Sequence, residues 1–364
     1  MAKICFLIGY YPLIMGGSEI QASYLANKLK EKNDIFYISV GHPNERIFSD
    51  QKGIKVYTVK IPSLPFIGGL KFLLKNKLDD IFAIEKPDII YQRIGYSATG
   101  FAALFCKRNN CKLVWHIASE QDVKSFKFGF KKRDLINYID YKIMRYGIKY
   151  ADIIIAQAKY QKEQLKKNYN RETTIVIPNF HPLSNNKIKK TLPIKIVWIS
   201  NIKPLKQPEL FIQLAEKFKN YNNLQFIMVG RIGVDPYSKK IYNKIKSSNV
   251  SYLGEKTIEE VEKILAQAHI FISTSLYEGF PNTFIQAWLH QVPVISLIVD
   301  PDDILKTKKI GFHSNLFNRM EEDVKLLIND SKKREEMGIR AQRYALENHS
   351  MANIEKIIGL MKNA

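Results

Sequence analysis

The residues best suited to chemistry in this 364-residue sequence lie at positions 275–288, which read SLYEGFPNTFIQAW. An apolar run ends there, Gly279 permits a tight turn, and Pro281 suits the first position of a helix. The first turn of a helix presents free N–H groups and a positive dipole end, which favour a phosphate group. With Glu278 at the lip of the turn and Gln286 farther along the helix, the segment predicts a binding site for a phosphorylated ligand.

A second glycine turn, Gly16-Gly17, follows a short apolar run near the N-terminus and leads into a helical pattern. Two glycines let a ligand approach the backbone closely, and the helix start again suits phosphate. The alternative is a plain strand-to-helix turn capped by Ser18. The pattern G-x-G-x-x-G does not occur, which argues against dinucleotide binding of the dehydrogenase kind.

Short β-branched or aromatic runs alternate with helical patterns along the chain, which predicts parallel βαβ units and an α/β fold. Predicted strands of the first half cover residues 4–8, 35–40, 89–91, 113–116, 153–156 and 174–177. Those of the second half cover residues 194–199, 226–229, 250–253, 270–273 and 293–297. Predicted helices include residues 18–31, 208–218, 258–267, 281–289, 331–347 and 351–362.

Residues 178–193 contain three prolines and three asparagines without periodicity, which is typical of a linker. We therefore expect two doubly wound domains, with a cleft facing the carboxyl ends of both sheets, where open α/β sheets bind ligands. The expected boundaries are 1–182, a linker at 183–193, a second domain at 194–345, and a C-terminal helix at 346–364 that packs back on the first domain.

His116 ends a predicted strand, so its side chain is expected to point into this cleft. Lys203 and Lys206 follow the first strand of the second domain, and Arg231 follows Gly230 at the end of the next strand. These cations suit phosphate, although a solvated lysine-rich loop would have the same composition. A histidine at a strand end is also often structural.

The order of residues in 278–288 resembles the donor-site signature of the retaining glycosyltransferases of family four, which have the GT-B fold of two facing Rossmann-like domains. Gly16-Gly17, residues 176–179 and residues 252–254 match other family segments in the required order. The resemblance covers nearly the whole chain and is more specific in the second half. It implies transfer of a hexose from a nucleotide sugar, with UDP as the expected nucleotide.

Two positions depart from the family pattern. Gln286 stands where the family has a glutamate that accepts hydrogen bonds from both ribose hydroxyls; the alternative is that Gln286 packs within the helix. Asn201 stands where the family has an arginine of the diphosphate clamp, while Lys206 keeps the lysine position. Lysine is a point charge and does not reproduce the bidentate grip of a guanidinium.

The resemblance implies a role for each candidate residue. His116 orients the acceptor or stabilises the reacting sugar, and Glu278 binds hydroxyls of the donor sugar. No metal or other cofactor is expected, because side chains supply the cations. The expected donor-binding residues are Gly16, Gly17, Asn201, Lys203, Lys206, Gly230, Arg231, Leu253, Gly279, Phe280, Pro281, Asn282, Thr283 and Gln286.

The net charge is +21, and residues 1–182 carry 29 basic against 16 acidic residues. Residues 124–149 interleave aromatic side chains with eight basic and two acidic ones, and residues 62–77 are apolar and basic. Both compositions suit an acidic membrane surface, and an ordinary amphipathic helix is the alternative. Candidate membrane or acceptor residues are Phe66, Lys71, Lys124, Phe126, Phe128, Phe130, Lys131, Lys132 and Arg133.

No apolar run approaches the roughly 18 residues that span a bilayer, and three cysteines without metal spacing indicate neither disulfides nor zinc. We therefore expect a cytoplasmic enzyme of polysaccharide biosynthesis at the inner face of the membrane. Its acceptor would be a lipid-linked saccharide or another glycan. Two alternatives stay open: an inactive glycosyltransferase-like scaffold protein, and a nucleic-acid-binding protein, which the charge alone favours.

Overall fold

The computed structural model describes residues 1–64, 68–129, 132–183 and 189–362, with residue 132 described by its backbone alone. The chain folds as two compact units, Met1–Asn179 with Ala352–Ala364, and Phe180–Met351. No helix in these described ranges is long and apolar enough to cross a membrane. Of the candidate membrane residues, Phe66, Phe130 and Lys131 lie outside the description.

The first unit is built on a sheet whose strands are mostly buried and aliphatic, as expected for strands covered on both faces. Its strands are β1 Lys3–Leu7, β2 Asp34–Val40, β3 Arg46–Ser49, β4 Lys55–Val59, β5 Ser63–Leu64, β6 Gly68–Gly69, β7 Ile89–Arg93, β8 Lys112–His116, β9 Ile153–Ala156 and β10 Ile175–Val176. Its helices are α1 Gly17–Leu29, α2 Lys75–Glu85, α3 Ser97–Arg108, α4 Lys132–Tyr150 and α5 Lys159–Tyr169.

Eight of these strands form one sheet in the order β10-β9-β8-β7-β1-β2-β4-β3, which is parallel except for β3 at its edge. The strand order reverses direction between β1 and β7. Ligands of open α/β sheets bind beyond the carboxyl ends of the strands at such a switch point. Strands β5 and β6 form a separate antiparallel pair.

The second unit follows the Rossmann strand order, β13-β12-β11-β14-β15-β16, and its ladders are parallel. Its strands are β11 Ile194–Ile199, β12 Leu224–Val229, β13 Val250–Tyr252, β14 Ile270–Ser273, β15 Val294–Ser296 and β16 Gly311–His313. Its helices are α6 Pro208–Lys217, α7 Pro236–Lys246, α8 Ile258–Gln267, α9 Asn282–Leu289, α10 Ile304–Lys308, α11 Phe317–Asn329 and α12 Ser331–Asn348. The switch point lies between β11 and β14. The last helix, α13 Ala352–Lys362, belongs to the first unit and contacts α1.

The doubly wound fold predicted from the alternating pattern is confirmed for both units. The sequence analysis did not identify strands β3, β4 and β16, and the predicted strand at 174–177 is shortened to β10. Helix α9 begins at Asn282 and not at Pro281. Pro281 has ψ 117°, so it precedes the helix as its N-cap residue. In the described residues of 178–193 there is no helix or strand.

Candidate active site

Two loops meet at the switch point of the second unit, beyond the carboxyl ends of β11 and β14. The hydroxyl of Thr274 donates to the carbonyl oxygen of Lys206 at 2.6 Å and accepts a bond from the Trp198 indole at 2.9 Å. The amide of Leu276 donates to the Leu205 carbonyl at 3.0 Å. The backbone of the loop that contains Lys206 is held by the bonds from Thr274 and Leu276, and neither bond involves the Lys206 side chain.

The side chains of Lys206 and Glu278 form a hydrogen-bonded ion pair above these loops. They are 19% and 21% exposed, respectively, so a ligand from solvent can reach both. The pair combines a cation suited to phosphate with a carboxylate suited to hydroxyl groups. The structure thus brings together two residues that the sequence places 72 positions apart.

Gly230, after β12, is positioned against the loop that follows β11. Its φ is 148°, and a Cβ atom there would lie 1.7 Å from the Ser200 carbonyl oxygen, so a side chain does not fit. The hydroxyl of Tyr252 donates to the Gly230 carbonyl at 2.7 Å, and the Ile202 amide donates to the Arg231 carbonyl at 2.9 Å. These contacts gather the loops after β11, β12 and β13 at one edge of the sheet.

The remaining predicted donor residues of these loops differ in exposure. Lys203, Arg231 and Leu253 are exposed, and Asn201 is half-buried. Both exposed cations follow strands at the edge that carries Lys206. The structure therefore supplies several positive charges at this edge, with Lys206 the one bonded to Glu278.

Part of the segment at the start of α9 is buried, although the sequence analysis expected all of it to bind the donor. Gly279, Asn282 and Thr283 are half-buried, whereas Phe280 and Pro281 are buried. The Phe280 ring packs on the His349 ring with centroids 4.6 Å apart. The Phe280 side chain therefore belongs to the core.

Gln286 is buried and hydrogen-bonded within the second unit. Its amide nitrogen donates to Glu262 Oε1 at 3.0 Å, and His290 Nε2 lies 2.6 Å from Glu262 Oε2. His181 Nε2 approaches the same carboxylate at 3.8 Å, and burial lowers the pKa of His181 despite this neighbour. The sequence analysis missed Glu262 and His290, because no motif marks them. The role of Gln286 as a ribose contact stays a prediction.

His116, at the end of β8 in the first unit, is buried and not open to solvent. Its Nδ1 lies 2.8 Å from the Tyr91 hydroxyl oxygen, and its Nε2 makes no hydrogen bond to the described residues. Burial lowers the pKa of His116 well below its ordinary value, and the charge of Arg93 adds to this effect. The lowered pKa favours the neutral imidazole, in which one ring nitrogen donates a hydrogen bond and the other accepts one.

The glycine turn before α1 already holds a carboxylate. Gly16 is the N-cap residue, and a Cβ atom on it would lie 2.3 Å from Glu19 Oε2. Negative charge at this helix start stabilises the helix through its dipole. A phosphate at Gly16-Gly17 would meet the carboxylate of Glu19, which weakens the case for a phosphate site at this turn.

Aromatic residues of the basic segment cluster at the start of α4. The ring of Phe128 lies 5.1 Å from that of Phe126 and 4.8 Å from that of Tyr138, and Phe128 is 62% exposed. Arg133 is exposed, and Lys124 pairs with Glu120 at 3.3 Å. Lys71, from the other predicted segment, lies 5.3 Å above the Tyr96 ring.

One group of side chains in the described residues has the spacing of metal ligands. The ligand atoms of Asp300, Asp303 and His313 lie within 4.8 Å of one another, beside β15 and β16. His313 Nε2 lies 2.9 Å from the Ile298 carbonyl oxygen and therefore carries the proton, which leaves Nδ1 toward Asp300. The sequence analysis did not single out this group.

Two family profiles match adjacent parts of the chain. The profile described as Glycosyltransferase Family 4 matches residues 15–184, and that described as Glycosyl transferases group 1 matches residues 182–344. The chain belongs to glycosyltransferase family four. The family inferred from the signature around Glu278 is thereby confirmed.

Characterised and uncharacterised members resemble this family-four chain over much of its length. An uncharacterized glycosyltransferase of Methanocaldococcus jannaschii is 29% identical over 284 residues, which cover 71% of this chain and 68% of that protein. The poly(ribitol-phosphate) alpha-N-acetylglucosaminyltransferase of Staphylococcus aureus is 28% identical over 218 residues. That match covers 58% of this chain and less than half, 44%, of the relative.

Solved structures confirm the GT-B fold. Sucrose-phosphate synthase from Thermosynechococcus elongatus has a TM-score of 0.78 at 15% identity, covering 100% of this chain and 98% of that one. Anabaena HepE, solved in complex with UDP and glucose, has a TM-score of 0.75 at 17% identity, covering 100% of both chains. At these identities the likeness establishes the fold alone.

Proposed function

We propose that this chain transfers a hexose from a nucleotide sugar, with UDP as the expected nucleotide, to a hydroxyl group of a glycan or lipid-linked saccharide. The observation that carries the proposal is the Lys206–Glu278 pair at the switch point of a sheet with Rossmann strand order. A pyrophosphate needs a cation, and a sugar needs a hydrogen-bond acceptor. This pair offers both at the place where such sheets bind ligands.

In the proposed reaction the bond between the sugar C1 and the diphosphate oxygen breaks, and the acceptor oxygen bonds to C1 on the same face. The acceptor proton leaves with the diphosphate. Lys206, assisted by the exposed Lys203 and Arg231, stabilises negative charge on the departing diphosphate. Glu278 accepts hydrogen bonds from donor hydroxyls. Because the His116 ring is buried, its role in orienting the acceptor stays a prediction. We name no covalent nucleophile and expect no essential metal.

The similar proteins support this choice of substrates. The Staphylococcus aureus relative is named for transfer of N-acetylglucosamine to a polymer that contains phosphate. The Anabaena protein of like fold was solved with UDP and with glucose. Retention of configuration at C1 is supported by the family resemblance of residues 278–288.

The proposal predicts that the protein binds a nucleoside diphosphate and turns over the matching nucleotide sugar. We expect calorimetric titration with UDP, GDP and ADP to show selective binding of one nucleotide. The corresponding nucleotide sugar should then be consumed in the presence of a lipid-linked acceptor, with added EDTA as a metal control. Selective binding without hydrolysis or transfer would identify an inactive scaffold, and binding of none of the three would contradict the donor site.

We further propose that the first unit binds an acidic membrane surface through the start of α4 and the basic residues along it. Phe128 offers an exposed ring, and the exposed bases next to it or farther along α4 are Arg133, Lys142, Arg145 and Lys149. Aromatic rings settle at the headgroup level, and each nearby base adds roughly 1 kcal/mol with acidic lipid. Such a surface would bring the enzyme to a lipid-linked acceptor.

Reversing the charge of Arg133, Lys142 and Lys149 to glutamate is expected to release the protein from acidic vesicles. Sedimentation with vesicles should rise with the fraction of acidic lipid and fall with salt, because screening acts over about 8–10 Å. The matched control reverses Lys239, Lys240 and Lys244, three exposed bases on α7 of the second unit. A specific membrane-binding surface on α4 would be contradicted if the control variant lost as much vesicle binding as the α4 variant. It would also be contradicted if the wild-type protein bound neutral and acidic vesicles equally.

A further inference from the structure

Asp300, Asp303 and His313 lie together beyond the carboxyl ends of the last two strands of the second unit's sheet. The two aspartates belong to the segment between β15 and α10, and His313 is the last residue of β16. The ligand atoms of the three side chains lie within 4.8 Å of one another. The proposed sugar transfer uses none of them, so their arrangement needs another explanation.

Asp300 provides a buried carboxylate oxygen without a partner. Its side chain is 0% exposed. The Leu305 amide donates to its Oδ1 at 2.8 Å, whereas its Oδ2 makes no hydrogen bond to any described residue. Leaving an oxygen of a buried ionised group without a partner costs free energy. A cation bound to Oδ2 would offset this cost.

The ring of His313 presents a second ligand atom to this oxygen. Its Nε2 donates to the Ile298 carbonyl at 2.9 Å, so in the neutral ring Nδ1 carries a lone pair and no proton. Metal-binding histidines are commonly oriented by such a bond from the other ring nitrogen. His313 Nδ1 and Asp300 Oδ2 are 3.9 Å apart, which is too wide for a hydrogen bond. The two atoms therefore face each other across a gap.

The width of this gap suits a metal ion. Ligand atoms at about 2.1 Å from a tetrahedral ion lie about 3.4 Å apart, and those on opposite sides of an octahedral ion lie about 4.2 Å apart. The distance of 3.9 Å between the Asp300 and His313 atoms lies between these values. Asp303 is exposed and the His313 side chain is 21% exposed, so an ion can enter from solvent and both side chains can adjust to it.

The two carboxylates have no basic side chain to neutralise them. Within the described ranges, neither Asp300 nor Asp303 forms an ion pair within 4.0 Å with a lysine or an arginine. Asp302 and Asp303 both have a φ of 54°, a left-handed conformation that aspartate adopts more readily than most residues. The chain turns there, just before α10, with the Asp303 carboxylate beside that of Asp300. Like charges this close repel each other unless a cation joins them.

From these observations we infer that Asp300, Asp303 and His313 bind one divalent transition-metal ion, such as Zn²⁺ or Mn²⁺. An imidazole ligand favours these ions over Ca²⁺ and Mg²⁺, which prefer oxygen ligands. The ion joins the segment after β15 to the end of the edge strand β16 and thereby stabilises the second unit. No step of the proposed sugar transfer passes through it.

Calorimetric titration with ZnCl₂ and with MnCl₂, after treatment with EDTA and its removal, tests this site. We expect the wild type to bind one equivalent of at least one of these ions. Asp303→Asn should weaken binding by at least about tenfold, because even the loss of a residue that only orients a metal ligand costs about 10–100-fold. Asparagine also tolerates the left-handed backbone, so this variant should fold.

Two further variants complete the test. Asp300→Asn keeps the oxygen that accepts from the Leu305 amide, removes the charge, and should also lose at least about tenfold in affinity. Asp302→Asn is the matched control, because it removes the same charge at the same φ and should bind the ion like the wild type.

Melting curves give an independent measure of the same site. An ion at about 100 times its Kd for the wild type should raise the melting temperature of the wild type and of Asp302→Asn by roughly 5–10 °C. Asp303→Asn should gain at most about half as much. The inference would be overturned if neither ion bound, if both ligand variants bound like the wild type, or if the Asp302 control lost as much affinity as they did. No sugar transfer is measured, so these outcomes are independent of the proposed function.

Discussion

Replacing Lys206 with alanine is expected to lower the rate of sugar transfer by about 10²–10³-fold at saturating donor. In comparable sites, removing one group that stabilises developing charge costs about 2.7–4 kcal/mol in the transition state. Lys206 is the cation bonded to Glu278, and it lies where the departing diphosphate is proposed to bind. The measurement is kcat with the nucleotide sugar that titration identifies.

Folding should survive this substitution. The loop is held by the Lys206 carbonyl, which accepts the Thr274 hydroxyl, and by the bond between Leu276 and Leu205. A partly exposed ion pair contributes only about 0–1 kcal/mol to stability. Lys203→Ala is the matched control, because Lys203 is an exposed lysine of the same loop, and its effect should be much smaller.

Glu278→Ala is expected to depress transfer strongly as well, because it removes the acceptor for sugar hydroxyls. If both residues serve one transition state, the double variant should lose less than the product of the two single losses. Near-normal turnover in both single variants at saturating donor would refute the assignment of this site. A large loss in the Lys203 control would instead assign the charge stabilisation to the loop as a whole.

Gln286→Glu is expected to destabilise the second unit by about 3–4 kcal/mol at pH 7. The change replaces the amide that donates to Glu262 with a second buried carboxylate about 3 Å away. Two carboxylates this close do not both ionise, so one must hold a proton. Keeping a proton at pH 7 on a glutamate of ordinary pKa, about 4.3, costs about 3.7 kcal/mol. Urea denaturation of the variant and the wild type measures the difference.

The stability of the Gln286→Glu variant depends on pH because one of its two neighbouring carboxyl groups must hold a proton. A carboxyl whose pKa is raised in the folded state does not lower the free energy of unfolding below about pH 4.3. As the pH rises above that value, the free energy of unfolding falls. The variant should therefore unfold nearly like the wild type at pH 4.5 and much more easily at pH 8. Adding Glu262→Gln again pairs an amide donor at one position with a carboxylate acceptor at the other. The double variant should therefore recover most of the lost stability.

The same variant tests the ribose contact predicted for Gln286. A carboxylate that reached the ribose would accept from two hydroxyls and improve nucleotide affinity by about 1 kcal/mol. Titration with the cognate nucleotide beside the denaturation curve separates the two roles. Tighter nucleotide binding with unchanged stability would contradict the packing role of Gln286 and support the ribose contact.

The sequence alone determined the α/β class of both units and the position of the donor signature in the chain. Alternating strand and helix patterns are local, because each depends on residues within one element and on the turns beside it. The parallel order of both sheets, the glycine turn at Gly279 and the start of α8 at Ile258 followed from such signals. The edge strands β3 and β16 were missed, because β3 is largely exposed and β16 begins at a glycine, so neither contains the apolar run that marks a buried strand.

Only the tertiary structure decided which side chains meet. Lys206 and Glu278 lie 72 positions apart, Gln286 and Glu262 lie 24 apart, and Arg93 and Asn179 lie 86 apart. Periodicity does not encode such pairs, because they depend on strand order and on which loops share an edge of the sheet. Phe280 fits the signature in sequence, yet its ring packs in the core. The sequence determines which residue types are present, whereas burial and long-range partners determine what each can do.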